Sequence, residues 1–461
     1  MDFNESLSYL LSLGHETLTI KLGLRNTEIL LDALGNPHKN FPAVQIAGTN
    51  GKGSTAVTLD SICRAASVRT GLFTSPHLVS ITERIQIEGQ PISESDFARL
   101  TAQVKKVAAE LVKQGRLEAL PTFFEQVTAI ALLAFREAKV ELAILETGLG
   151  GRLDSTTAAR AGIVAITPIA MDHEEYLGNN LAEVAAEKAA IIRPGVIAII
   201  APQPEEAFEI ILRQCEISQV VPKLIGESGT DFSLCYDRHQ SSTTSQIIKN
   251  SDDGRFCVRF ETDRNSYEDV WLSLRGRHQI SNVALAIALA ETLQENGFAI
   301  PREAIIRGIE TATYPGRLEI WERHPQILFD GAHNPAASRS LRAYLDEFVK
   351  DPVTMIFGAM RDKALDEMAA VLFPAADRVI LNEFENPRAA NFEMLKSAAP
   401  VGFDQTRLCR ASSAHEALSL ATELTPANGV ICVTGSLYLV GTIQRILRDE
   451  FPVVAHQSAS H

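Results

Sequence analysis

Two features of this 461-residue sequence predict an α/β architecture with largely parallel sheets. Short β-rich apolar runs alternate with amphipathic helical patterns over most of its length. Several of those runs are apolar without alternation, as in strands covered on both faces. In order, the strand runs are Val44 to Ala47, Val140 to Leu145, Ile163 to Thr167, Val196 to Ala201, Ile327 to Asp330, Val353 to Gly358, Arg378 to Leu381 and Val430 to Thr434. Between them, Ser95 to Gln114 opens on Ser-Asp cap chemistry, and Phe123, Val127, Ile130 and Ala134 recur at helical spacing. Further helices are expected over Leu181 to Ile192, His278 to Asn296 and Pro301 to Thr311. From about Thr230 to Arg275 the chain turns polar, with Asp252-Asp253-Gly254 between two strand-like runs, Gln246 to Lys249 and Phe256 to Phe260, which predicts a β-hairpin excursion. The turn-forming Tyr314-Pro315-Gly316-Arg317 precedes a fresh α/β series, so domains of residues 1–312 and 313–461 are expected.

Composition narrows the function classes. At 46% hydrophobic the chain is globular, and its length allows two or three domains, each with its own core. With 43 basic against 57 acidic residues, the net charge of −14 disfavours nucleic acid and anionic membrane as partners. The six cysteines are scattered without metal-ligand or disulfide-framework spacing. Met1 to Tyr9 lacks the basic and apolar regions of a signal peptide, and no apolar stretch reaches 18 residues, so a cytoplasmic protein is expected.

The strand Ala43 to Ala47 runs into Gly48-Thr49-Asn50-Gly51-Lys52-Gly53-Ser54-Thr55 and then a helical stretch, the order of a phosphate cradle. Glycines let backbone N–H groups face the phosphates, Lys52 supplies a point charge, and the helix start adds its dipole. The generic pattern places Ser or Thr directly after the lysine to meet magnesium. Here Gly53 intervenes, so Ser54 or Thr55 must serve. Glu146 ends an apolar strand before a glycine-rich turn, where open α/β sheets put ligand contacts, and suits a metal carboxylate; the plain alternative is a loop glutamate in water. His173 follows another strand to the same expected edge.

The loop Gly48 to Ser54 resembles the signature of the Mur ligase superfamily, and its Gly-Lys-Gly-Ser form resembles the folate branch. Further motifs support that branch in the same order: Thr74-Ser75-Pro76-His77-Leu78 with Glu83-Arg84-Ile85, Glu146 through Asp154, Thr167 to Gly178, and Glu187-Lys188-Ala189. Later come His278-Gln279 with Asn282, Pro315-Gly316-Arg317, and Asp330-Gly331-Ala332-His333-Asn334-Pro335. The resemblance implies a P-loop-containing central ATPase domain and a smaller Rossmann-like C-terminal domain that closes over ATP. It implies an ATP-dependent ligase that joins L-glutamate to dihydropteroate and to the γ-carboxylate of reduced folates through an acyl phosphate. A monomer is implied, with ATP, magnesium as two ions, and potassium left open.

Residue by residue, the resemblance implies ATP contacts at Gly48 to Thr55, Asn282, Arg317 and Asp330. Metal ligands would be Ser54, Ser75, Glu146, His173 and Lys188, the last as a carbamate because an ammonium cannot ligate a cation. Lys52, Lys188 and His173 would act in catalysis. The alternative for Lys188 is a surface ion pair with Glu183 or Glu187, and for Arg317 an interdomain salt bridge. On the acceptor side Thr122, Phe124, Arg152 and Asp154 are implied, with Phe123 directed to the core by its helical spacing. Ser155-Thr156-Thr157 departs from the Ala-Thr-Asn that usually follows that aspartate. His333 and Ser436 are candidates for glutamate, Ser436 at a strand-to-helix junction able to hold a carboxylate.

Three rivals remain. A peptidoglycan Mur ligase carries a separate N-terminal domain, for which the 47 residues before Gly48 are too few. A P-loop switch would want the generic Gly-Lys-Ser/Thr. A nucleotide-binding protein without chemistry would not need Glu146, His173 and Lys188 together.

Overall fold

A computed structural model describes residues 1–14, 23–226 and 243–450. The chain divides into two units, Met1–His77 with Ile81–Tyr314, and Leu78–Ser80 with Pro315–His461. Eight strands form the main sheet of the first unit: β1 (Ala43–Ala47), β2 (Thr70–Phe73), β3 (Ile85–Ile87), β4 (Gln90–Pro91), β5 (Leu142–Glu146), β6 (Ile163–Ile166), β7 (Ile197–Ile200) and β8 (Lys223–Leu224). Their order across the sheet is β4-β3-β2-β5-β1-β6-β7-β8. All pairs are parallel except those of β3 with β2 and β4, at one edge.

All five residues of both β1 and β5 are buried, which is why these segments read as unbroken apolar runs. Register decides the site. Ile46 pairs with Glu146 and Ala47 with Ile166, so the chain leaves β1, β5 and β6 side by side at one carboxyl edge. Helix Lys52–Ala65 starts directly at the lysine, four residues earlier than its apolar pattern suggests. Helix Glu94–Lys113 is capped by Ser93, whose side chain accepts from Asp96 N.

The polar excursion is a three-stranded antiparallel sheet, β9 (Thr243–Asn250), β10 (Phe256–Thr262) and β11 (Ser266–Trp271), in the order β11-β10-β9. The two expected strands are there. The third escaped the alternation test because Asp269 takes a left-handed conformation opposite a register shift, which breaks the period of two. Residues 230–242 of the excursion, including Cys235, lie outside the described residues.

Helix His278–Glu295 is buried around nearly its whole circumference, from Gln279 to Leu293, with Asn282 inside as well as the Val283, Ile287 and Ala290 row. It packs against helix Lys52–Ala65 and strands β6, β7, β9 and β10.

In the second unit six strands, β12 (Glu319–Trp321), β13 (Gln326–Phe329), β14 (Val353–Phe357), β15 (Arg378–Asn382), β16 (Leu408–Ala411) and β17 (Val430–Thr434), order as β12-β13-β17-β14-β15-β16. Only β12 runs antiparallel to its neighbour. Apolar clusters cover both faces. Among the described residues no helix is long and apolar enough to cross a membrane.

Candidate active site

The phosphate loop is shaped by its surroundings. Gly51 caps helix Lys52–Ala65 at φ 91°, a left-handed conformation that glycine adopts without strain. A Cβ on Gly48 would lie 2.8 Å from the Thr167 carbonyl oxygen. The amides of Thr49 and Asn50 donate to the Pro168 carbonyl at 3.1 and 3.3 Å. That corrects the picture of a whole loop of amides facing phosphate. The donors without an intrahelical acceptor are those of the first helical turn. Lys52 Nζ curls back to the Gly48 and Thr49 carbonyls, 3.1 Å from each.

Gly53, the departure from the generic pattern, has a structural cause. Its Cβ position lies 2.6 Å from Cζ and 2.8 Å from Cε1 of Tyr314, whose ring occupies the space a serine would need. The next hydroxyl, Ser54, is buried and accepts from Gln279 Nε2 at 3.3 Å. Thr55 is fully buried, its hydroxyl 3.5 Å from the Asn282 carbonyl. Asn282 donates to Gln279 Oε1 at 2.9 Å, and its amide lies against Gly51. Gln279 and Tyr314, which carried no assigned role in the sequence, thus brace the loop; their only signal was proximity to motif residues.

Lys188 is the most informative residue of the site. It is 4% exposed and donates to the Gly48 carbonyl at 2.9 Å. The surface ion pair is overturned, because Glu187 holds Arg152 and the Glu183 carboxylate accepts from Asn179 N at 2.8 Å and Asn180 Nδ2 at 2.9 Å. Burial, with the Lys52 ammonium nearby, pushes the Lys188 amine down to about 7. A partly neutral amine is what carbamate formation requires.

Glu146 is buried, not a loop glutamate in water, and its Oε2 accepts from Ser75 N at 3.1 Å. His173 stands at φ 54° on the loop after β6, its amide donating to the buried Asp172 at 2.9 Å. Among the described residues no three His, Cys, Asp or Glu side chains converge as an all-protein metal cage. Magnesium does not need one, since it usually takes one or two carboxylates and completes its shell with water and phosphate oxygens. A buried carboxylate at the strand paired with β1, together with the Ser54 hydroxyl in the loop, fits such a site.

Opposite lies the turn Gly148–Gly151. Asp154 holds it from behind: Oδ2 accepts from the amides of Gly148 and Leu149, both at 2.9 Å. Its Oδ1 accepts from Thr156 N at 3.0 Å and Thr156 Oγ1 at 2.5 Å. Burial raises the Asp154 carboxyl while these bonds oppose the rise. Four protein donors leave it a positioning role, which corrects the expected acceptor contact. Phe124 packs its ring on Gly148, where a Cβ would meet Cζ at 2.5 Å, and is half-buried, whereas Phe123 is in the core as its spacing predicted. Thr122 and Glu125 form a reciprocal capping box on helix Phe123–Glu137, a signature that the sequence carried unrecognised. Arg152 is exposed and paired with Glu187 at 2.8 Å. Arg84, quoted only as part of a motif, is fully buried, donates to His77 Nδ1 at 2.8 Å and lies over the Phe123 ring.

In the second unit Asp330 follows β13 and is buried; its oxygens accept from Leu318 N at 3.0 Å and Ala332 N at 2.9 Å. Burial raises its carboxyl, and the charge of Arg317 opposes that. His333 Nδ1 lies 2.8 Å from the Gly331 carbonyl, so that nitrogen carries a proton. Ser436 is buried after β17, and its hydroxyl accepts from Tyr438 N at 3.2 Å, at the start of helix Leu437–Glu450.

Comparison with known proteins agrees with this fold. The Mur ligase middle domain matches residues 46–290, and the Mur ligase glutamate ligase domain matches residues 316–437. Dihydrofolate synthase/folylpolyglutamate synthase of Bacillus subtilis is 33% identical over 440 residues, 94% of this chain and 97% of that protein. The Escherichia coli FolC structure in complex with DHPP and ADP matches with a TM-score of 0.83 at 29% identity, covering 98% of both chains. The Yersinia pestis bifunctional folylpolyglutamate synthase/dihydrofolate synthase complexed with AMPPNP and Mn ion matches with a TM-score of 0.81 at 27% identity, covering 97% of this chain and 98% of that one.

Proposed function

Because this chain belongs to the Mur ligase family, in its branch of dihydrofolate and folylpolyglutamate synthases, we propose that it glutamylates two acceptors, dihydropteroate and the γ-carboxylate of reduced folates. It is an ATP-dependent enzyme that ligates glutamate to folates and uses a divalent metal. The proposal concerns its acceptors and the residues that act. The observation carrying it is the buried Lys188 amine on the Gly48 carbonyl. A switch or motor has no use for a second lysine beneath its phosphate loop, whereas a ligase that recruits it as an anionic carbamate does.

A carboxylate is a poor electrophile, because direct attack by an amine would expel oxide. Its oxygen instead attacks the γ-phosphorus of ATP, breaking the bond to the β-phosphate bridging oxygen and releasing ADP. In this step Lys52 turns from the loop carbonyls to the phosphates, and the first-turn amides from Gly51 to Ser54 donate to their oxygens. Glu146 and Ser54 would be the protein donors to a bound magnesium ion, which would supply charge neutralisation at the phosphates. The proposal includes two ions, with Ser75, His173 and carbamylated Lys188 as further ligands, and a potassium requirement to be settled by omission. The glutamate amine then attacks the acyl carbon, phosphate leaves, and an amide remains.

Phe124 is the proposed stacking surface for the pterin, with Arg152 at the rim and Thr122 ordering the helix that carries the ring. Asn282 and Arg317 are proposed nucleotide contacts, Asp330 orients Arg317, and His333 and Ser436 are proposed for glutamate. We place the enzyme in the cytoplasm as a monomer. Phosphate release from ATP with magnesium and L-glutamate tests the reading, comparing dihydropteroate with a reduced folate monoglutamate and weighing the products. Release on both, each product one glutamyl unit heavier, is the expected outcome. Release on one alone reduces the enzyme to a single activity.

A further inference from the structure

Gln45 lies in the middle of β1, three residues before the phosphate loop, and is completely buried. An apolar side chain would suit such a position better. Its Nε2 donates to two hydroxyls, Thr156 Oγ1 at 3.0 Å and Thr157 Oγ1 at 2.7 Å. Each hydroxyl has already committed its one proton. Thr156 donates to Asp154 Oδ1 at 2.5 Å, and Thr157 donates to the Gly151 carbonyl at 2.7 Å. Each can therefore only accept from Gln45, which fixes the amide with its nitrogen toward them. The consequence is visible at the other end of the amide, where Oε1 is buried with no protein hydrogen-bond partner among the described residues. A buried acceptor left unmatched is costly and calls for a reason beyond packing.

Two directed chains thus leave one amide. One runs from Gln45 through Thr156 to Asp154, which receives the Gly148 and Leu149 amides. The other runs from Gln45 through Thr157 to the Gly151 carbonyl. Together they hold both ends of the Gly148–Gly151 turn, the turn against which the Phe124 ring rests. The metal side is anchored separately: Thr147 N donates to the Ile46 carbonyl at 3.0 Å, and Glu146 accepts from Ser75 N.

We propose that Gln45 is a positioning residue for acceptor recognition, setting the Gly148–Gly151 turn and the Phe124 ring through the Thr156 and Thr157 hydroxyls, independently of the metal and nucleotide groups. This rests on the reading of Phe124 as the pterin surface. In Gln45→Met, which keeps the length and removes both donors, KM for dihydropteroate and for reduced folate should rise about tenfold or more, the scale of a misplaced contact. The KM for ATP should stay within about twofold, because Glu146 and the loop keep their own anchors. Thr157→Val keeps the shape, cuts one chain, and should give the same split more weakly. Equal rises in the acceptor and ATP constants, or no change in either variant, would overturn the proposal. If Gln45→Met does not fold, Thr157→Val decides alone; if neither folds, the network is a folding element and the proposal falls. Wild-type enzyme inactive on both acceptors would instead sink the folate reading and this proposal with it, so the wild-type arm separates the two failures.

Discussion

Placing a side chain at Gly53 tests why this loop departs from the generic phosphate-binding pattern. Gly53 is the second residue of helix Lys52–Ala65, and its backbone is not in the left-handed region. Helical propensity alone would therefore favour Gly53→Ala by about 1 kcal/mol. Opposing this, the new Cβ would sit 2.6 Å from Tyr314 Cζ and 2.8 Å from Cε1, contacts that require the ring or the helix start to move. Overpacking of that kind costs about 1–3 kcal/mol, so the net effect is a loss of up to about 2 kcal/mol. Gly53→Ser, which restores the generic Lys-Ser sequence, should do no better and should raise KM for ATP, since the loop carries the displacement. Tyr314→Ala removes the obstruction. In a double-mutant cycle read by urea denaturation, Gly53→Ala should cost less in the Tyr314→Ala background than in wild type, by about 1–3 kcal/mol. Additivity within about 0.5 kcal/mol, with unchanged ATP kinetics in the single variants, would refute the steric account.

Lys188 makes stability depend on pH in a known direction. Its pKa falls from 10.5 to about 7 on folding, so between those values the unfolded chain holds a proton that the folded chain does not, and stability rises with pH. Melting in carbon-dioxide-free buffer without metal should therefore show wild type gaining on Lys188→Met from about pH 7 to 9.5, and holding a constant difference below about pH 7; a constant difference throughout would contradict the burial of the amine. Adjacent phenylalanines should separate cleanly: Phe123→Ala costs about 3–5 kcal/mol of stability, whereas Phe124→Ala acts mainly on acceptor KM. Asp154→Asn turns an amide NH2 toward donors on one side of the carboxyl position, and a loss of about 2–4 kcal/mol in urea titrations is expected. Chelating the divalent metal should abolish acceptor-dependent phosphate release while leaving far-UV circular dichroism unchanged, a result that would fail if the metal were structural.

Local chemistry was legible wherever one segment carries it alone. The buried central strands announce themselves as unbroken apolar runs, because both faces of β1, β5, β14 and β17 are covered. The phosphate loop was equally plain, since glycine, lysine and a helix start must be contiguous to cradle an anion. Phe123 declared itself core by helical spacing. Short edge strands such as β4 and β8 were not legible, because two residues carry no period.

What only the tertiary structure decided is which residues meet across long separations in the chain. Gly53 looks like a defect in a motif until Tyr314 is seen occupying its missing side chain. Lys188 looks like one charge on a polar helix until burial against Gly48, 140 positions away, changes its chemistry. Gln45 and Thr157, separated by 112 positions, share a hydrogen bond that no local pattern encodes. By itself the sequence determined the fold class and the phosphate loop, because those depend on short-range pattern and residue type, while the ligase chemistry came with the resemblance of its ordered motifs to the Mur ligase family. The tertiary structure decided protonation, orientation and steric room, because these depend on neighbours brought together by strand register and helix packing.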